Sequence, residues 1–111
     1  MTLEISQGTE LLTIETTLAQ GALVITLSGE LDIAGAPVLL DALMRSVQSE
    51  VAEVLCDLGS VTYIDSSGIS VLLTARKRLH SLGRELVLVA PSGRVTKVLE
   101  IAGISSLFVT R

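Results

Sequence analysis

Asp65-Ser66-Ser67-Gly68 lies between two apolar runs, Val54-Leu55-Cys56-Asp57-Leu58 and Ile69-Ser70-Val71-Leu72-Leu73. The pattern reads as a buried strand, a short loop and a helix whose first turn is small and hydroxylated. The free backbone N–H groups of such a turn suit an anion, and two serines there offer a hydroxyl that phosphate can esterify. Asp and Ser are also the favoured N-cap residues, so capping alone explains most of the tripeptide. It does not explain Gly68, because glycine within a helix costs about 1 kcal/mol relative to Ala. Close approach of another surface is one reason to keep it. Ser66, Ser67, Gly68 and Ser70 would then form a flat patch suited to docking.

Other chemistry is poorly supported. A serine nucleophile needs a base within hydrogen-bond reach. The one histidine, His80, is about four turns further along the same helix, roughly 20 Å away at 1.5 Å per residue. No Gly-x-Ser-x-Gly elbow and no glycine-rich phosphate loop is present. Asp32 and Asp65 follow strands and can meet at one end of a sheet, but Asp57 lies inside a strand. Three converging carboxylates for magnesium are therefore not expected. Cys56, in a buried strand, reads as core filling. Arg76-Lys77-Arg78 reads as a solvated helix face, with a rim for an acidic partner as its functional alternative. The expectation is no self-sufficient enzyme, no catalytic residue and no metal.

The whole chain limits the answer further. Its 111 residues suffice for one domain with one core. Hydrophobic residues make up 49%, yet only Tyr63 and Phe108 are aromatic, so Leu, Ile, Val and Ala must build the interior. A net charge of -4 argues against nucleic acid, as does the lack of an aromatic platform for bases. No secretory signal or membrane-length apolar stretch is visible, and a lone cysteine fits a reducing compartment. Cytoplasmic is the expected location.

The elements that must position Ser66 follow from periodicity. Thr9 to Thr17 reads as an edge strand, paired antiparallel through a Gln20-Gly21 turn with Leu23–Leu27. Ser28-Gly29-Glu30-Leu31-Asp32 reads as a polar connection to a helix opened by Pro37, with Ala36, Leu40, Leu43 and Val47 as its apolar stripe. The helix after Gly68 presents Ile69, Leu72, Ala75, Leu79 and Leu82 and stops at Gly83. Glu85–Val89 is a further strand. Pro91-Ser92 opens a last helix with Val95, Val98, Leu99 and Ala102 inward, and Leu107–Val109 is a final short strand. Met1 to Gly8 reads as loose. The fold class is α/β, with helices on a mixed sheet of four to five strands.

Leu27-Ser28-Gly29-Glu30-Leu31-Asp32 and Asp57-Leu58-Gly59-Ser60-Val61-Thr62-Tyr63-Ile64-Asp65-Ser66-Ser67-Gly68 resemble the two signatures of STAS domains, in particular those of bacterial anti-sigma factor antagonists. The tail from Ala90-Pro91-Ser92 through Val98-Leu99-Glu100-Ile101-Ala102-Gly103-Ile104 to Leu107-Phe108 is similar to the family's end. The resemblance implies a single STAS domain over residues 1–111. It implies phosphorylation of Ser66 by an anti-sigma factor that is also a serine kinase of histidine-kinase-like ATPase fold. That partner supplies ATP and Mg²⁺, so this chain needs no cofactor. A metal-dependent serine phosphatase reverses the modification. The unmodified form binds the kinase and frees a sigma factor, regulating transcription by partner switching. Asp32, Asp65, Ser66, Ser67, Gly68 and Ser70 are the implied partner-binding residues, and the chain is expected to be a monomer or weak dimer. Two departures stand out: Ile33-Ala34-Gly35-Ala36-Pro37 where relatives often carry Thr, and Ser70 where many have Gly. The rival readings of the resemblance are a subunit of a stress-sensing scaffold and a module of an ABC transporter complex.

Overall fold

The computed structural model describes residues 3–111. Six strands form one sheet in sequence order: β1 (Leu3–Gly8), β2 (Leu12–Ala19), β3 (Ala22–Leu31), β4 (Glu53–Ile64), β5 (Glu85–Val89) and β6 (Val109–Thr110). β1, β2 and β3 pair antiparallel, while β3 to β6 run parallel. The parallel connections carry helices α1 (Ala36–Gln48), α2 (Ser66–Ser81) and α3 (Gly93–Ile101). The β2–β3 hairpin closes on Gln20 and Gly21, both at positive φ (51° and 79°), the backbone a two-residue hairpin turn requires.

The segment expected to be loose instead supplies the sheet's outer strand. β1 pairs residue by residue with β2, so the sheet has six strands rather than four to five, and the Thr9–Thr17 stretch is not its edge. Ile5, Ser6 and Gln7 show little hydrophobic alternation, and their strand identity comes from the neighbouring β2 ladder. Residues 1 and 2 lie outside the described residues.

The two central strands are also longer than periodicity indicates. Ser28–Leu31, expected as a connection, continues β3, and Gly59–Ile64, expected as a loop, continues β4. Their hydrophobic pattern breaks because the ladder contains register shifts between Thr26 and Ser28 and between Gly29 and Glu30, which move side chains off strict alternation. Gly29 is required at this irregularity. Its φ is 106°, and a Cβ there would lie 2.1 Å from the carbonyl oxygen of Leu11.

The core is aliphatic. Ile14, Ile25, Leu27, Leu31, Val54, Cys56, Leu58 and Leu88 from the sheet meet Leu39, Leu43, Leu72 and Leu79 from α1 and α2, all with no exposed surface. On α1 the buried face is Ala36, Leu39, Ala42, Leu43 and Ser46. Leu40 and Val47, expected inward, are half-buried because they face sideways. On α2, Val71 joins the buried face and Ile69 is half-buried; Leu82 is exposed because it is the C-cap residue. Ala102, the C-cap of α3, is likewise exposed.

Arg84 ties the helix layer to the sheet. Its guanidinium donates to the carbonyls of Val47 (2.7 Å) and Ser46 (2.8 Å) at the C-terminus of α1, where positive charge is favoured, and of Val51 (2.8 Å) in the connection to β4. Arg84→Ala should lower unfolding free energy by about 2–3 kcal/mol, the scale of charge-assisted bonds. Arg84→Lys should recover less than half of that, since an ammonium cannot span three carbonyls. Urea denaturation of the three proteins measures both.

Candidate functional site

The parallel β3–β4 ladder ends at the Leu31–Ile64 pair. The next residue on each strand is Asp32 and Asp65, so the two aspartates leave the sheet on neighbouring strands, whose backbones lie about 4.8 Å apart. Asp65 then turns the chain into α2 as its N-cap, with extended backbone (φ -120°, ψ -172°). Its Oδ1 accepts from the backbone N–H of Ser67 (2.9 Å) and of Gly68 (3.4 Å). The Tyr63 hydroxyl donates to its Oδ2 (3.4 Å), and the Arg94 guanidinium sits 5.9 Å from the centre of the Tyr63 ring. Asp32 does equivalent work ahead of α1: its Oδ1 accepts from the N–H groups of Ala34 (3.1 Å) and Gly35 (2.9 Å).

Ser66 is the first residue of α2 and is exposed. Ser67 is half-buried and Ser70 exposed. Asp32, Asp65, Ser66, Ser67 and Ser70 therefore come together at one end of the molecule, as their spacing in the sequence suggested.

Gly68 does not belong with them. It is buried, and a Cβ there would lie 2.7 Å from Leu31 Cγ and 3.0 Å from Ile64 Cγ1. The surface whose close approach demands glycine is this protein's own β3–β4 floor, and Gly68, being buried, adds little to the exposed face beside Ser66. The glycine seats the helix start directly over the strand ends and so fixes the height of Ser66.

The remaining candidates lie elsewhere. Asp57 accepts from the Gly59 N–H (2.9 Å) and belongs to the β4–β5 part of the ladder, opposite Val89. Among the described residues no three His, Cys, Asp or Glu side chains gather as a metal site. His80 is exposed near the far end of α2. Cys56 is fully buried, and burial, reinforced by the Asp57 charge, pushes its thiol up to about 12, which leaves it protonated and unreactive. The basic triplet divides: Arg76 Nε donates to the Leu107 carbonyl, whereas Lys77 and Arg78 make no ion pair among the described residues. Sequence reasoning missed the Tyr63–Asp65 contact, because the parity of an irregular strand does not reveal where Tyr63 points.

The STAS domain family model matches residues 13–111. The anti-sigma-B factor antagonist of Staphylococcus aureus is 30% identical over 96 residues, covering 86% of this chain and 89% of the relative. Among solved structures, the anti-sigma factor antagonist SpoIIAA in its unphosphorylated form superposes with a TM-score of 0.73 at 21% identity, over 96% of this chain and 88% of that one. The Bacillus cell fate determinant SpoIIAA in its phosphorylated form gives 0.68 at 20% identity, over 96% and 91%. At these identities the superpositions establish a shared fold.

Gly68→Ala separates two opposing effects. Helix propensity alone would stabilise by up to about 1 kcal/mol, but overpacking against Leu31 and Ile64 costs about 1–3 kcal/mol. A net loss of stability is expected in urea denaturation, and a gain would contradict the packing described. Asp65→Ala should lose about 1 kcal/mol through the cap.

Proposed function

The chain belongs to the STAS domain family, and we propose that it acts as an anti-sigma factor antagonist switched by phosphorylation of Ser66. The observation that carries this reading is a solvent-exposed serine hydroxyl, with no hydrogen-bond partner among the described residues, held at a rigid helix start beside two carboxylates. The curated relative's name assigns the antagonist role within the same family.

In this reading the unmodified chain binds an anti-sigma factor and so releases a sigma factor. The partner is also a kinase and brings ATP and Mg²⁺; this chain supplies the acceptor alone. Ser66 Oγ forms a bond to the γ-phosphorus as the bond to the ADP leaving oxygen breaks. The hydroxyl proton passes to a base that the partner supplies. A metal-dependent serine phosphatase hydrolyses the ester, restoring the hydroxyl and releasing inorganic phosphate. The chain itself performs no catalysis and holds no cofactor. No helix among the described residues is long and apolar enough to cross a membrane.

The switch is electrostatic. Phosphorylation adds about -1.5 to -2 charge at pH 7 at a helix N-terminus that favours negative charge, so the fold tolerates it. A partner that fits the neutral site meets a dianion added to Asp32 and Asp65. Like-charge juxtaposition costs several kcal/mol, and about 4 kcal/mol is roughly a thousandfold in affinity.

Ser66→Ala should bind the anti-sigma factor kinase persistently in the presence of ATP, while Ser66→Asp should bind it weakly, by calorimetry or pull-down. Mass-spectrometric mapping after incubation with kinase and ATP should find phosphate on Ser66; modification confined to another residue would reject the assignment.

A further inference from the structure

Two grooves lie along the seam between α1 and α2, the first at its Ser66 end and the second toward the C-terminus of α2. The first, of about 360 Å³, is walled by Ile33, Pro37, Leu40 and Val71, with Ser67 and Ser70 at its Ser66 end. The second, of about 470 Å³, is lined by Met44, Thr74, Lys77, Arg78 and Ser81. Thr74 borders both, and Leu40 and Met44 are one turn apart on α1, so the two lie end to end along the seam.

The seam is polarised in chemistry. Its end beside Ser66 is apolar, and there Ile33 is 75% exposed, although a side chain of that size normally gains from being covered. Its far end carries Lys77 and Arg78 without an ion-pair partner among the described residues. No carboxylate lines either groove, in a chain whose net charge is -4. The acidic residue of α1 nearest in sequence, Asp41, is instead paired with Arg45. From Ser70 to Arg78 the seam extends about 12 Å along α2 at 1.5 Å per residue.

We infer that this seam is the docking track for an acidic amphipathic segment of the anti-sigma factor, with an apolar side chain covering Ile33 beside Ser66 and carboxylates on Lys77 and Arg78. The inference rests on the antagonist reading above and extends it by naming the surface and the partner's chemistry. It also explains why one hydroxyl can control a whole interface. A phosphate on Ser66 would stand at the mouth of the apolar end, where the partner must shed water. It would also add negative charge next to a segment that is itself acidic.

The test is calorimetric titration of the cognate anti-sigma factor, loaded with ADP, into the full chain and its variants. Ile33→Ser should weaken binding about tenfold or more, as a central apolar anchor does, at any salt concentration. Lys77→Glu combined with Arg78→Glu should weaken it about tenfold at low salt and much less at high salt, where exposed charges are screened. Lys97→Glu on α3, an exposed charge change away from the seam, should bind as the wild type does. All three sites are on the surface, and equal urea midpoints will verify that the variants fold. If the seam variants bind like wild type while Ser66→Asp does not bind, the seam assignment falls and the antagonist reading stands. If wild type itself fails to bind any anti-sigma factor, the reading beneath it falls. A change in the chain's own oligomeric state on Ile33→Ser, with partner binding intact, would make the seam a self-interface and overturn the proposal.

Discussion

Everything at the Ser66 end of this protein depends on where the β3–β4 ladder stops. Because the two strands run parallel and end in register at Leu31 and Ile64, the residues that follow them emerge together. Each is an aspartate, and each spends one carboxylate oxygen on the backbone N–H groups of the next turn. Asp65 thereby starts a helix and places Ser66 at its first position. Gly68 then lets that helix settle onto Leu31 and Ile64 closely enough that no methyl group fits between them. The serine is exposed, but the surface that presents it is fixed from below.

That arrangement divides the energetics. Burial of an aliphatic core and the Arg84 clamp on the end of α1 hold the scaffold, and neither touches Ser66. Charge added at Ser66 falls on a helix start, which accommodates it, and acts on whatever is docked there. A modification worth several kcal/mol at an interface can thus leave folding stability nearly unchanged. On the proposed reading, the α1–α2 seam would add a second component: apolar contact close to Ser66 and positive charge further from it.

Much of this was legible in the sequence, for identifiable reasons. Pro37 and Ser92 marked helix starts, Gln20-Gly21 marked the hairpin, and Asp65-Ser66 announced a cap; each is a local rule with a local cause. The aspartate–serine cluster at one end of the sheet followed from parallel strands and so was predictable. What was not legible depended on neighbours distant in sequence. β1 takes its strand identity from β2. The far halves of β3 and β4 hide behind register shifts that break alternation. Gly68 read as a docking surface because sequence tells that a glycine is needed but not which surface approaches it. The division of Arg76 from Lys77 and Arg78 likewise rests on the Leu107 carbonyl, thirty-one residues away.

The central claim is that Ser66 changes charge while the scaffold beneath it does not move. Backbone amide NMR of the chain before and after stoichiometric phosphorylation tests it most directly. Shift changes should be confined to the Asp32–Ala36 and Asp65–Ser70 segments, with hydrogen-exchange protection in β3, β4 and β5 unaltered. Changes spreading through α2 into β5, or loss of protection in the sheet, would contradict an electrostatic switch on a fixed fold.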